Sequence, residues 1–231
     1  MIMKFNKLLV VILFGTAISF VSSSVLAHKT KYAVTITNIT PNLVLTPVLV
    51  ASHRKGVKIF TLGEEASYEL GRIAEGGDIA PMADYLSNNS KVIDVAHSEG
   101  LLGPGDSVTV EVSAKRGARY LTVASMFLPT NDGFMALNGV KLPKYNRGSS
   151  SFYSPVYDAG TEANDELCAN IPGPGPHPVC PGGEAFSEEA DSDEGYVHIH
   201  GGIHGIGDLV PELYDWRNPA VKITVERIRE Y

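Results

Sequence analysis

The sequence predicts a mainly β protein, an antiparallel β-sandwich with one or two short inserted helices and long loops. Three observations carry that expectation. Several short stretches alternate apolar and polar residues with a period of two, the pattern of a strand with one face on a core and one on water. Glycine and proline are frequent, 23 and 14 in 231 residues, and many punctuate those stretches as turn formers. Helical spacing is confined to a single region. Many short strands with little helix is the signature of a sandwich.

Residues 31–40 alternate, with Tyr32, Val34 and Ile36 on one face and Thr35 and Thr37 on the other. Residues 43–50 read as a second strand in which Pro47 marks an edge or a bulge, and residues 57–62 as a short third. The helical region spans residues 64–86. Ala66, Leu70 and Ile73 fall at helical spacing, Gly76-Gly77 ends the segment, and a second short helix runs over 81–86 with Asp78 as a cap. Strand patterns return at 91–97, 107–113, 119–128, 195–200 and 220–228. In residues 107–113 the valines at 108, 110 and 112 point inward. Residues 119–128, rich in Val, Thr, Met and Phe, read as a central strand. In the last strand Val221, Ile223 and Val225 share the inner face. Residues 145–195 hold few apolar side chains and predict long loops, which in a compact domain are functional or disordered.

The first 27 residues read as a secretory signal peptide. Lys4 and Lys7 precede an apolar run over 8–20, and small residues lead to Ala27. The expected organisation is a signal peptide over 1–27 and one domain over 28–231, exported to the periplasm or secreted. The run is short for a membrane span and no later segment approaches the roughly 20 apolar residues a span requires. The net charge is −7, and removing the leader's two lysines makes the remainder more acidic. Such a chain is poorly suited to nucleic acid or anionic lipid and well suited to cations. In an exported protein the two cysteines, Cys168 and Cys180, are expected to form a disulfide around a Pro/Gly-rich loop. The chain-entropy estimate for so short a loop is about 3 kcal/mol.

Several clusters have the chemistry of a site. Residues 157–166 carry Asp158, Glu162, Asp165 and Glu166 with no basic residue, so mutual repulsion calls for water, a cation or a partner. Oxygen-rich loops suit Ca²⁺, and a solvated acidic loop is the plain alternative. Asp132 follows the central strand in Asn131-Asp132-Gly133, either a ligand or an ordinary turn. His198 and His200 share one face of a strand and His204 follows in a glycine-rich loop. Three imidazoles so close can hold Zn²⁺ or Cu²⁺, or simply tie loop carbonyls together. His28, exposed by cleavage after Ala27, is a weaker copper candidate. The acidic run over 187–194 reads as solvated. Neither acidic stretch fits an EF-hand, and no Gly-x-Ser-x-Gly or His-Glu-x-x-His motif is present. The expectation is a binding protein and no enzyme.

Residues 200–209 and 214–219 look like the bacterial, single-domain branch of the spondin (F-spondin N-terminal) domain family, and three segments resemble that domain's signature stretches. They are Leu128-Pro129-Thr130-Asn131-Asp132-Gly133-Phe134, then Tyr157-Asp158-Ala159-Gly160-Thr161-Glu162, then residues 219–228. Tyr-Asp-Ala-Gly-Thr is the most specific of these. The resemblance implies a sandwich similar to C2 domains, a role in matrix or adhesion, and a Ca²⁺ held by acidic residues at one end. It implies Asp132 and Asp158 as ligands and, less securely aligned, Glu111. It leaves Glu162, Asp165 and Glu166 to water. The chain lacks the Trp that follows the first Asp in animal members and carries no thrombospondin repeat. The implied partner is therefore an unspecified protein or glycan of the envelope or extracellular space. The alternative is a metalloprotein with Zn²⁺ or Cu²⁺ at His198, His200 and His204.

Overall fold

The computed structural model describes residues 30–115, 117–144, 148–173, 180, 182–183, 185–186 and 194–228. The expected signal peptide, His28 and all but the last residue of the acidic run over 187–194 lie outside the described residues.

The alternating segments become strands of the smaller of two sheets. Strand β1 (Thr30–Asn38) buries Tyr32, Val34 and Ile36 and leaves the residues between them partly open. It is flanked on one side by β5 (Ser107–Ala114) and on the other by β11 (Val221–Ile228), and β8 (Ser149–Ser154) closes the order β5-β1-β11-β8. All these ladders are antiparallel. One face meets the core and the other meets water, so period two is legible in three of the four strands.

The larger sheet runs β10 (His198–Ile199), β9 (Val156–Asp158), β7 (Gly133–Lys141), β6 (Tyr120–Leu128), β3 (Leu49–His53), β4 (Val92–His97). A two-residue strand, β2 (Val44–Leu45), pairs with the end of β6. Residues 43–50, expected as one strand, thus divide around Pro47, which has no N–H to donate to a ladder. Both faces of this sheet are covered. The inner face packs on the smaller sheet through residues such as Val123, Phe127, Met135 and Leu137. The outer face is covered by helices α1 (Tyr68–Gly76) and α2 (Ala80–Ser87), whose Leu70, Ile73, Met82 and Leu86 pack on Ala124, Phe134 and Ala136. Strand β6 is therefore buried along almost its whole length, which explains why its sequence is apolar without alternation.

Both helices stand in the region where helical spacing was found. The side chain of Ser67 caps α1 by accepting from Leu70 N, and Gly77 ends it at φ +64°. Asp78 accepts from Ala80 N at 3.0 Å as α2 begins. A short helix, α3 (Pro211–Tyr214), precedes β11.

Three expectations need correction. Residues 57–62 form no strand; Val57 and Ile59 are buried, but the side chain of Asn138 holds this loop by accepting from Ile59 N and donating to Phe60 O. Ser149–Ser151, within the stretch expected as long loops, lie in β8 and pair with β11. Strands β7 and β9 were not anticipated. The disulfide Cys168–Cys180 is present.

Candidate metal centre at the acidic end of the sandwich

Strand β6 ends at Leu128 and β7 begins at Gly133, so Asp132 occupies the turn between two central strands. Thr130 fixes that turn: its hydroxyl donates to Phe127 O at 2.6 Å and accepts from Gly133 N at 3.0 Å. Register then sets Gly133 opposite Asp158 at the end of β9, and Asp158 opposite His198 at the start of β10. Neighbouring strand ends thus bring Asp132, Asp158 and His198 to one end of the larger sheet.

Asp132 and Asp158 are both fully buried. Asp132 Oδ2 accepts from Thr161 N at 2.9 Å and Glu162 N at 3.3 Å, whereas its Oδ1 is buried with no hydrogen-bond partner among the described residues. Burial, and after it the Asp158 charge, holds the Asp132 carboxyl well above the usual carboxylate range, against the opposing pull of those two N–H groups. Asp158 Oδ1 accepts from Gly160 N at 2.8 Å and its Oδ2 from Asn164 Nδ2 at 2.6 Å. That same amide reaches Glu194 Oε1 at 3.3 Å. Gly160 is required here by its φ of +65° and by the backbone of Tyr196, which leaves no room for a Cβ.

His198 Nδ1 lies 3.2 Å from Tyr196 O and 3.5 Å from Asp158 Oδ1. A proton on Nδ1 suits both oxygens and leaves the Nε2 lone pair free for a ligand role. Among the described residues, Asp158, Glu194 and His198 are the one group of three whose ligand atoms lie within 4.8 Å of one another.

The other sequence-derived candidates are placed elsewhere. Glu111 lies on the water-facing side of β5, 59% exposed, with Lys31 Nζ at 3.8 Å, and is not gathered with Asp132 and Asp158. His200 is buried; its Nδ1 accepts from Gly202 N at 3.0 Å, so Nε2 holds the proton and lacks a partner among the described residues. Burial lowers His200 to about 4, so the ring stays neutral beside the edge of Trp216. The His204 side chain is 62% exposed. His198, His200 and His204 do not converge on a common point.

The acidic loop also departs from its solvated reading. Glu166 is buried, in the left-handed region at φ +59°. Its carboxylate accepts the backbone N–H groups of His204, Gly205 and Ile206, a concave arrangement of amides that favours an anion. Asn131 accepts from Glu166 N and donates to Asp165. The histidine-containing loop is therefore pinned by a carboxylate. Glu194 and Asn164 are participants that sequence reasoning missed. Glu194 was absorbed into an acidic run, and only the fold brings it to Asp158.

The family model described as Spondin_N matches residues 24–168, more than half of the chain, and no curated protein matches it. The matched part contains both Asp132 and Asp158. It stops before β10 and β11, although β11 pairs with both β1 and β8 in the smaller sheet.

Proposed function

The chain belongs to the spondin N-terminal domain family, and from that premise we propose that it is an exported binding module whose buried acidic end holds Ca²⁺. It acts by binding a protein or glycan of the envelope or extracellular space, in an adhesion-type role, and does no catalysis. Family membership and the disulfide fit an extracellular binding-type module. Among the described residues no helix is long and apolar enough to cross a membrane.

The observation that carries the Ca²⁺ reading is Asp132: a fully buried carboxylate, beside a second one, with one oxygen that none of the described residues satisfies. A buried ionised carboxylate without a counter-charge is strongly penalised, and a hard cation removes that penalty for both aspartates at once. Asp132, Asp158 and Glu194 offer the oxygen donors such an ion takes. Family resemblance supports the first two.

A second reading has its own support. The close approach of Asp158, Glu194 and His198 mixes nitrogen and oxygen donors, which suits Zn²⁺ or Cu²⁺ better than Ca²⁺. This centre differs from one built on His198, His200 and His204 and shares Asp158 with the Ca²⁺ site. Calorimetric titration of chelator-stripped protein separates the two. Ca²⁺ binding at one equivalent, lost in Asp132→Asn and kept in His198→Gln, supports the first. Zn²⁺ binding lost in His198→Gln and kept in Asp132→Asn supports the second. Wild-type protein that binds neither ion overturns both.

A further inference from the structure

At the opposite end of the sandwich, where β1 and β6 start and β5, β7 and β11 finish, lies a cleft of about 260 Å³. Among the described residues its charged lining is basic: Lys115, Arg119, Lys144 and Arg227. A neighbouring hollow of about 190 Å³ shares Arg119 and Lys144 and adds Lys141. This concentration stands out in a chain where 26 acids outnumber 19 lysines and arginines. Some cations elsewhere find carboxylates, as Arg72 does with Asp78 and Lys31 with Glu111. None of the four cleft cations has an ion-pair partner among the described residues.

The cleft is also held in shape. Arg227 Nη1 donates to Lys144 O at 3.2 Å and its Nη2 to Thr30 Oγ1 at 3.3 Å. The buried phenol of Tyr32 donates to Pro143 O at 3.1 Å. Arg227 and Arg119 stand close enough to Tyr32 to oppose the upward push of burial on that phenol. The guanidinium of Arg119 makes no hydrogen bond among the described residues. Tyr32, Ala118 and Leu142 give the walls apolar surface.

We propose that this cleft binds a sulfate or phosphate group carried on a body of sugar size. Like-charged side chains repel one another unless an anion joins them, and guanidiniums match tetrahedral oxyanions through paired N–H donors. The volume, near the lower end for small-molecule pockets of roughly 300 Å³, admits one ring together with its charged group. The apolar walls favour such a ligand over a bare ion.

The test uses the full exported chain with a chelator present, so that no metal bridges protein and ligand. Calorimetry is run with glucose 6-phosphate, glucose 6-sulfate, glucose, inorganic phosphate and inorganic sulfate. Binding to phosphatidylcholine vesicles is measured with and without phosphatidylglycerol. The expected result is one-to-one binding of the charged sugars, several-fold tighter than of the inorganic ions, weakening as salt rises, with none for glucose. Arg119→Gln weakens that binding roughly tenfold or more, Arg119→Lys restores part of it, and Lys55→Gln, which removes an exposed cation outside the cleft, leaves it unchanged. Lys115→Gln provides an independent loss if the arginine variant folds poorly. The proposal is overturned by no binding of either charged sugar, by equal binding of glucose, by binding indifferent to both cation-removing variants, or by binding to anionic vesicles alone. Inorganic ions binding as tightly as the sugars also reject it, because the cleft would then be a plain anion hole.

Discussion

At the Asp132 end of the sandwich, carboxylates are buried and their oxygens, Asp132 Oδ1 excepted, are met by backbone N–H groups and side-chain amides. At the other end of β6, about 30 Å away for a strand of nine residues, arginines and lysines line an open cleft without acidic partners among the described residues. The difference lies in what holds each charge. Buried carboxylates depend on neighbours for solvation, so their loops are tied to one another and any lost contact is felt in the fold. Cations on long stems keep their own water, so they can be removed at little cost to stability and remain available to a ligand.

The largest test of that contrast is Gly160→Ala. A Cβ there meets the Tyr196 backbone in a conformation that disfavours it, so chemical denaturation should show a loss of about 2–4 kcal/mol. Next is Glu166→Gln, which sets an amide N–H₂ against N–H donors from residues 204–206 and should cost about 1–3 kcal/mol in the same assay. Arg119→Gln at the other end should change stability by less than about 0.5 kcal/mol. Comparable losses at the two ends would remove the distinction drawn here.

A finer prediction concerns sign. The folded Asp132 carboxyl lies above its ordinary value of 3.8, so the folded protein binds that proton more tightly than the unfolded chain. Its stabilising contribution is present below pH 3.8 and is lost as pH rises through the folded value. In chelator, Asp132→Asn should therefore melt higher than the wild type, by a margin that grows as pH rises above 4. Excess Ca²⁺ should reverse the order. The smallest effect is spectroscopic. His200 is lowered to about 4 beside the single tryptophan, so Trp216 emission should stay constant through pH 6.5 and change near 4. The neutral ring is a contribution to stability that is lost as pH falls from 6.5 towards 4.

Which parts of this were legible in the sequence follows from how many faces each element buries. Strands β1, β5 and β11 each have one wet face, and their alternation placed their core residues correctly. Strand β7 is buried on both faces over Gly133–Leu137 and shows no alternation to read. Strand β8 borders the smaller sheet, beside β11 alone, and its serines resemble a loop. The same rule had already decided Glu111: if Val110 and Val112 face inward, the residue between them faces water. Asp132 and Asp158 were reached through motif resemblance, since their burial depends on strand ends far apart in the chain. Glu166 and Glu194 carry no local signal at all. What buries Glu166 is a set of amides about 40 residues later, and what assigns Glu194 a role is its approach to Asp158.

The central claim is that the acidic end is a cation site, and the melting temperature of chelator-stripped protein with and without excess Ca²⁺ tests it most directly. At a hundredfold excess over the dissociation constant, binding adds about 2.7 kcal/mol, which for a domain of this size raises the midpoint by roughly 5–10 °C. The account predicts that rise in the wild type and its loss in Asp132→Asn and Asp158→Asn. Identical melting of the wild type in chelator and in Ca²⁺ would contradict it.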